Sequence, residues 1–177
     1  MGCVQTGEAG ILLGSAYVKF LHYTGETMEI ERKFLVQQLP EAYHTYPRHR
    51  IEQAYLCVTP VVRVRRSNDA YYLTYKGSGL LAREEVNLPL TAESYRHLLE
   101  KADGNVIAKD RFCIPFEEHI IELDIFDSPF APLMIAEVEF STEEEALAFQ
   151  PPTWFGAEVT YDPAYTNAAL SRKVLSL

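Results

Sequence analysis

The chain has 177 residues, 16 basic and 25 acidic, with a formal charge of −9 at pH 7. Its length suits one domain, and 47% hydrophobic with 23% charged residues argues against wholesale disorder. No apolar run approaches the ~20 residues of a membrane-spanning helix, and the acidity disfavours generic nucleic-acid binding, so neither nucleic acid nor membrane is an expected partner.

Residues 1–27 hold only Lys19, Glu8 and Glu26 as charges and show no clear period. They read as an extension, disordered or the product of a start set too early, with the folded unit spanning 28–177 from Met28. Met1-Gly2-Cys3 fits a myristoylation pattern but lacks polybasic support, so a non-functional tail is the preferred reading. The spacing then predicts strands over 28–36, 50–58, 60–67, 70–76, 81–89, 105–114, 117–127 and 132–140. Turn chemistry separates them, at Pro60, Ser67-Asn68-Asp69, Gly77-Ser78-Gly79, Pro115 and Ser128-Pro129. Helices are expected over 91–102 behind a capping threonine, from 141 to about 149 behind a capping box, and over roughly 164–173. Cys57 and Cys113 read as small core residues of a protein in a reducing, cytoplasmic compartment. The five histidines have no metal-ligand spacing.

Side chains alternate between the faces of a strand. One parity class collects Glu29, Glu31, Lys33, Arg63, Arg65, Thr74, Lys76, Arg83, Glu85, Lys109, Arg111, Glu122, Asp124, Glu137 and Glu139. The other collects Val62, Val64, Tyr71, Leu73, Val86, Phe112, Ile114, Ile121, Leu123, Val138 and Phe140. Arg63/Arg65 and Glu137/Glu139 are like-charge neighbours that repel unless opposite charge sits between them. Eight antiparallel strands suffice to close a barrel. The expected architecture is therefore mainly β: a closed eight-stranded antiparallel barrel with the ionic face inward and a few flanking helices.

Carboxylates in such a lumen are hard oxygen ligands suited to Mg²⁺ or Mn²⁺. The arginines and lysines suit phosphate oxygens. Together they suggest a polyphosphate held between cations, and phosphoryl transfer asks chiefly for positioning and charge neutralisation.

Glu29-Ile30-Glu31-Arg32-Lys33 resembles the Glu-x-Glu-x-Lys signature of the CYTH superfamily, the triphosphate tunnel metalloenzymes. Arg63-Val64-Arg65, Leu73-Thr74-Tyr75-Lys76, Lys109-Asp110-Arg111, Glu122-Leu123-Asp124 and Glu137-Val138-Glu139-Phe140 follow in the family's order, as does Trp154-Phe155-Gly156. The resemblance implies a tunnel that binds a triphosphate-containing small molecule with Mg²⁺ or Mn²⁺. It implies metal-side roles for Glu29, Glu31, Glu122, Asp124, Glu137 and Glu139. Phosphate-side roles fall on Lys33, Arg63, Arg65, Lys76, Lys109, Arg111 and Glu85, with Lys33, Glu29 and Glu31 central to catalysis. Where some members carry a lysine on the C-terminal helix this chain has Ala168, and Arg172 or Lys173 is expected to serve instead. The compact bacterial-type branch is the nearest match, which implies a homodimer and hydrolysis of inorganic tripolyphosphate. Adenylate cyclase, thiamine triphosphatase and a non-catalytic polyphosphate-binding module are the alternatives.

Overall fold

The computed structural model describes residues 27–174. All of the expected extension except Thr27, including Cys3 and the myristoylation pattern, lies outside them. Nine strands form one sheet: β1 (Thr27–Val36), β2 (Arg48–Val58), β3 (Val61–Ser67), β4 (Ala70–Lys76), β5 (Ala82–Pro89), β6 (Asp103–Phe116), β7 (His119–Phe126), β8 (Met134–Phe140) and β9 (Phe155–Glu158). Their order is β5-β4-β3-β2-β6-β7-β8-β1-β9, and β1 also pairs with β5. That extra pairing, Thr27 to Ile30 against Glu85 to Ala82, closes the first eight strands into an antiparallel barrel. Closure removes the edges an open sheet would expose.

The eight expected strands are all present, and β9 is an addition. It pairs with the end of β1 at Phe34–Glu158 and Val36–Phe155, on the side β5 has vacated. Three α-helices are present, α1 (Ala92–Leu99), α2 (Glu143–Ala148) and α3 (Asn167–Arg172); the third starts later than expected, because Pro163–Tyr165 form a separate 3₁₀ turn. Thr91, Thr142 and Thr166 each accept a hydrogen bond from the backbone N–H three residues on. In α2, Glu145 also accepts from the N–H of Ser141, the residue before the cap, at 2.9 Å. The β3–β4 turn places Asn68 at φ 51, where an asparagine is well tolerated.

Outside the barrel, alternation delivers apolar residues to two covering layers. Ile30, Phe34, Ile121, Leu123, Val138 and Phe140 pack with Ala146 and Phe149 around α2 and with Phe155 on β9. Val64, Tyr71 and Leu73 pack under Tyr95 of α1. Arg32 pins the first layer. It forks onto Glu158 at 2.8 and 2.7 Å and donates to the carbonyls of Ala146 and Phe149. Trp154 and Phe155 pack edge to face at 4.5 Å and belong to the first layer. Cys57 and Cys113 are half-buried rather than core residues, and neither is in a disulfide.

Inside the barrel the character changes along each strand. Leu35, Tyr55, Ile107, Phe126 and Ile135 meet Leu170 of α3 in an apolar plug at one end. The charged parity class fills the rest. Gly104 holds α3 in place over that plug. Its φ is +75, and a Cβ there would stand 2.4 Å from the Ser171 carbonyl oxygen. Gly104→Ala is expected to lower unfolding free energy by about 1–3 kcal/mol, from the left-handed backbone and the clash together. A urea titration checks this, and an unchanged midpoint would contradict the packing described.

Candidate active site

A cavity of about 140 Å³ runs through the charged half of the barrel. Its wall carries Glu29, Glu31 and Lys33 from β1, Tyr55 from β2, Val61, Arg63 and Arg65 from β3, and Lys76 from β4. Arg83 and Glu85 come from β5, Arg111 from β6, Glu122 from β7, and Glu137 and Glu139 from β8. Thr166, Asn167 and Ala168 roof it from the start of α3. Most of the predicted side chains therefore meet in one enclosed space.

Register explains how so many charges coexist. Glu29 lies opposite Arg83, Lys33 opposite Glu137, Lys76 opposite Glu85, and Arg111 opposite Asp124. Cross-strand neighbours of opposite sign thus offset the like charges at i, i+2. Lys33 Nζ is 2.8 Å from Glu31 and 2.6 Å from Glu137. Burial opposes its charge, yet those two carboxylates hold its pKa above the ordinary lysine value. Lys76 Nζ contacts Glu29 at 2.6 Å and Glu85 at 2.5 Å. Arg83 bonds Glu29 at 3.0 Å and Glu31 at 2.8 Å.

Two regions are left out of balance, with opposite sign. At one, burial and then the charges of Arg63 and Arg111 push Arg65 down to about 10. Arg63 Nε nearby is buried without an acceptor. Lys76 is also lowered, by burial and then Arg63. This end of the cavity is short of an anion. At the other, Glu31 pairs with Glu139 and Glu122 with Glu137, acid against acid. Glu139 stands at the mouth and makes no ion pair among the described residues. Partial desolvation, then the charges of Glu122, Glu29 and Glu31, raise its carboxyl to about 7. This end is short of a cation.

Glu29, Glu31, Glu122, Glu137 and Glu139 are hard-oxygen donors on the cavity wall, and their chemistry fits Mg²⁺ or Mn²⁺. Most are turned onto lysines and arginines, and among the described residues no three acidic, His or Cys side chains converge at metal-binding distance. A cation must therefore draw carboxylates away from their basic partners.

Four predicted residues stand elsewhere. Lys109 and Asp124 are 0% exposed, ion-paired to each other and absent from the cavity wall. Lys109 lies over the Phe126 ring at 5.0 Å, and burial lowers its pKa to about 8 despite Asp124. Asp124 also accepts from Arg111 Nε at 2.7 Å and Nη2 at 2.6 Å, so it supports that guanidinium from behind. Arg172 and Lys173 are exposed and outside the cavity. Burial of Leu170 and Ser171 turns that end of α3 to solvent, leaving the roof uncharged. His119 packs against Phe140 and Phe149 rather than lining the cavity.

Two polar wall residues were not among the expected site residues. Arg83 shares the charged parity, a signal that was available. Tyr55, with Gln53 behind it, sits on the one strand whose inner face is uncharged, so the ionic pattern gave no pointer.

A closed antiparallel barrel with a bore of opposed acids and bases defines a charged-tunnel protein. The sequence model of the CYTH domain matches residues 27–149, and the chain belongs to that family. An inorganic triphosphatase of Nitrosomonas europaea is 38% identical over 152 residues, spanning 82% of this chain and 98% of its own. Another, of Acetivibrio thermocellus, is 35% identical over 147 residues, spanning 80% and 92%. The crystal structure of the inorganic triphosphatase NE1496 superposes with a TM-score of 0.65 at 33% identity, covering 84% of this chain and 97% of that one. A putative adenylate cyclase of Bacillus halodurans shares the fold at 18% identity, with a TM-score of 0.56 over 70% of this chain and 86% of its own.

Proposed function

We propose that this chain is a divalent-metal-dependent hydrolase of triphosphates, with inorganic tripolyphosphate the foremost substrate. The observation that carries the reading is the paired imbalance of the bore, one region lacking an anion and the other a cation. A polyphosphate with a divalent ion on its acid-facing end supplies both at once. The names of the two relatives above support the choice of substrate.

In this reading Arg63, Arg65 and Lys76 take the phosphate chain, with the unpartnered Arg63 Nε as a ready donor. Lys33, held cationic between Glu31 and Glu137, neutralises charge building on the scissile phosphoryl group. Arg111, fixed by Asp124 and Glu137, closes the same space from β6. Water attacks the terminal phosphorus and pyrophosphate leaves. Glu29, Glu31, Glu122, Glu137 and Glu139 would hold Mg²⁺ or Mn²⁺, which would supply positive charge to offset that of the phosphoryl oxygens. Among the described residues no helix is long and apolar enough to cross a membrane. We place the protein in the cytoplasm, where free cysteines persist, and as a homodimer by its family resemblance.

The test is a panel of tripolyphosphate, ATP and thiamine triphosphate, each with Mg²⁺ or Mn²⁺, read for orthophosphate, pyrophosphate and cyclic AMP. Orthophosphate release from tripolyphosphate, exceeding that from ATP and thiamine triphosphate, is expected. Cyclic AMP with pyrophosphate from ATP would identify a cyclase, and tight binding without turnover a polyphosphate receptor.

A further inference from the structure

We propose that Gln53 is a positioning residue that turns the hydroxyl proton of Tyr55 into the bore, as a neutral donor to a phosphate oxygen. The inference rests on the triphosphatase reading. Gln53 is wholly buried on the inner face of β2, opposite Arg65 of β3. Its Oε1 accepts from Arg65 Nε at 3.0 Å, and its Nε2 donates to the Tyr55 hydroxyl oxygen at 3.0 Å.

Donor chemistry fixes the direction of this chain. An arginine can only donate, so the amide oxygen of Gln53 must face Arg65. The amide –NH₂ must then face Tyr55, which makes the phenol oxygen an acceptor there. Arg63, which can also only donate, stands opposite Tyr55 in the β2–β3 register. The single phenolic proton is therefore left for another partner. It is not consumed by the roof, where Asn167 Oδ1 is buried and itself without a hydrogen bond. Tyr55 lines the cavity beside Arg63, so the acceptor that fits is an oxygen of the bound polyphosphate. Burial above all raises the phenol's pKa, which keeps the proton on the oxygen for that purpose.

The test is a double-mutant cycle. In Gln53→Glu a carboxylate of similar shape still receives Arg65, but it can only accept, so it captures the Tyr55 proton. Tyr55→Phe removes the same proton. Each is expected to lower kcat/KM for tripolyphosphate with Mg²⁺ by about tenfold, with the same division between kcat and KM. The double variant should fall no more than about twofold below Tyr55→Phe, because one interaction has been removed twice. Losses that multiply would overturn the proposal, since Gln53→Glu would then act by adding negative charge. Full activity in Gln53→Glu would overturn it equally.

Thermal melting monitors folding. Should Gln53→Glu fail to fold, Gln53→Met takes its place in the cycle. Its loss should then shrink by at least about threefold in the Tyr55→Phe background, and an undiminished loss would overturn the proposal. Wild-type turnover reports separately on the reaction. If it is absent, the reaction reading fails, and the same cycle is read from calorimetric affinity for tripolyphosphate without metal.

Discussion

Lys33→Ala is expected to lower turnover of tripolyphosphate by about 10²–10³ while leaving the protein folded. The ammonium is shared between Glu31 on its own strand and Glu137 on β8. Its removal takes positive charge from the centre of the bore without orphaning either acid. Glu31 keeps Arg83 at 2.8 Å, and Glu137 keeps Arg111 at 2.5 Å. The protein should therefore still melt cooperatively, with the loss confined to kinetics. Lys33→Arg should not restore full activity, because a planar fork cannot occupy the place of a compact point charge. Retained turnover in Lys33→Ala would remove Lys33 from the chemistry, and failure to fold would assign it to structure instead.

Arg111→Met is expected to cost both stability and activity, with about 3–5 kcal/mol lost from unfolding free energy. Arg111 bonds Asp124 twice, reaches Glu137 at 2.5 Å and also pairs with Glu122. Asp124 is wholly buried, so water cannot replace the lost guanidinium. Among the described residues Lys109 alone remains to it, an ammonium that burial already penalises. Urea denaturation at pH 7 measures the effect. A midpoint close to wild type would mean that the buried acid–base network does not hold the β6–β7–β8 wall together.

The contrast between these variants marks what was legible in the sequence. Period-two alternation revealed the strands and put Glu29, Glu31, Lys33, Arg63, Arg65, Lys76, Arg83, Arg111, Glu137 and Glu139 on one face. Closure then brought them together. Parity could not tell lining from support. Lys109 and Asp124 share the inward face, yet Lys109 lies over the Phe126 ring, Asp124 bonds the Arg111 guanidinium, and neither lines the cavity. Tyr55 and Gln53 gave no ionic signal because their polarity is spent on hydrogen bonds within the wall. Strand β9 has four residues and forms only because the end of β1 is unpaired on one side, a long-range condition invisible locally. The roof followed the same logic. Arg172 and Lys173 read as basic on a helix, but the residues that reach the cavity are one turn earlier and uncharged.

The most direct measurement is ³¹P NMR of tripolyphosphate mixed with the purified protein, first in EDTA and then after Mg²⁺ addition. Stable tripolyphosphate resonances are expected in EDTA, and after Mg²⁺ the appearance of orthophosphate and pyrophosphate in equal amounts. Unchanged resonances after Mg²⁺ and Mn²⁺, or equal hydrolysis in EDTA, would contradict it.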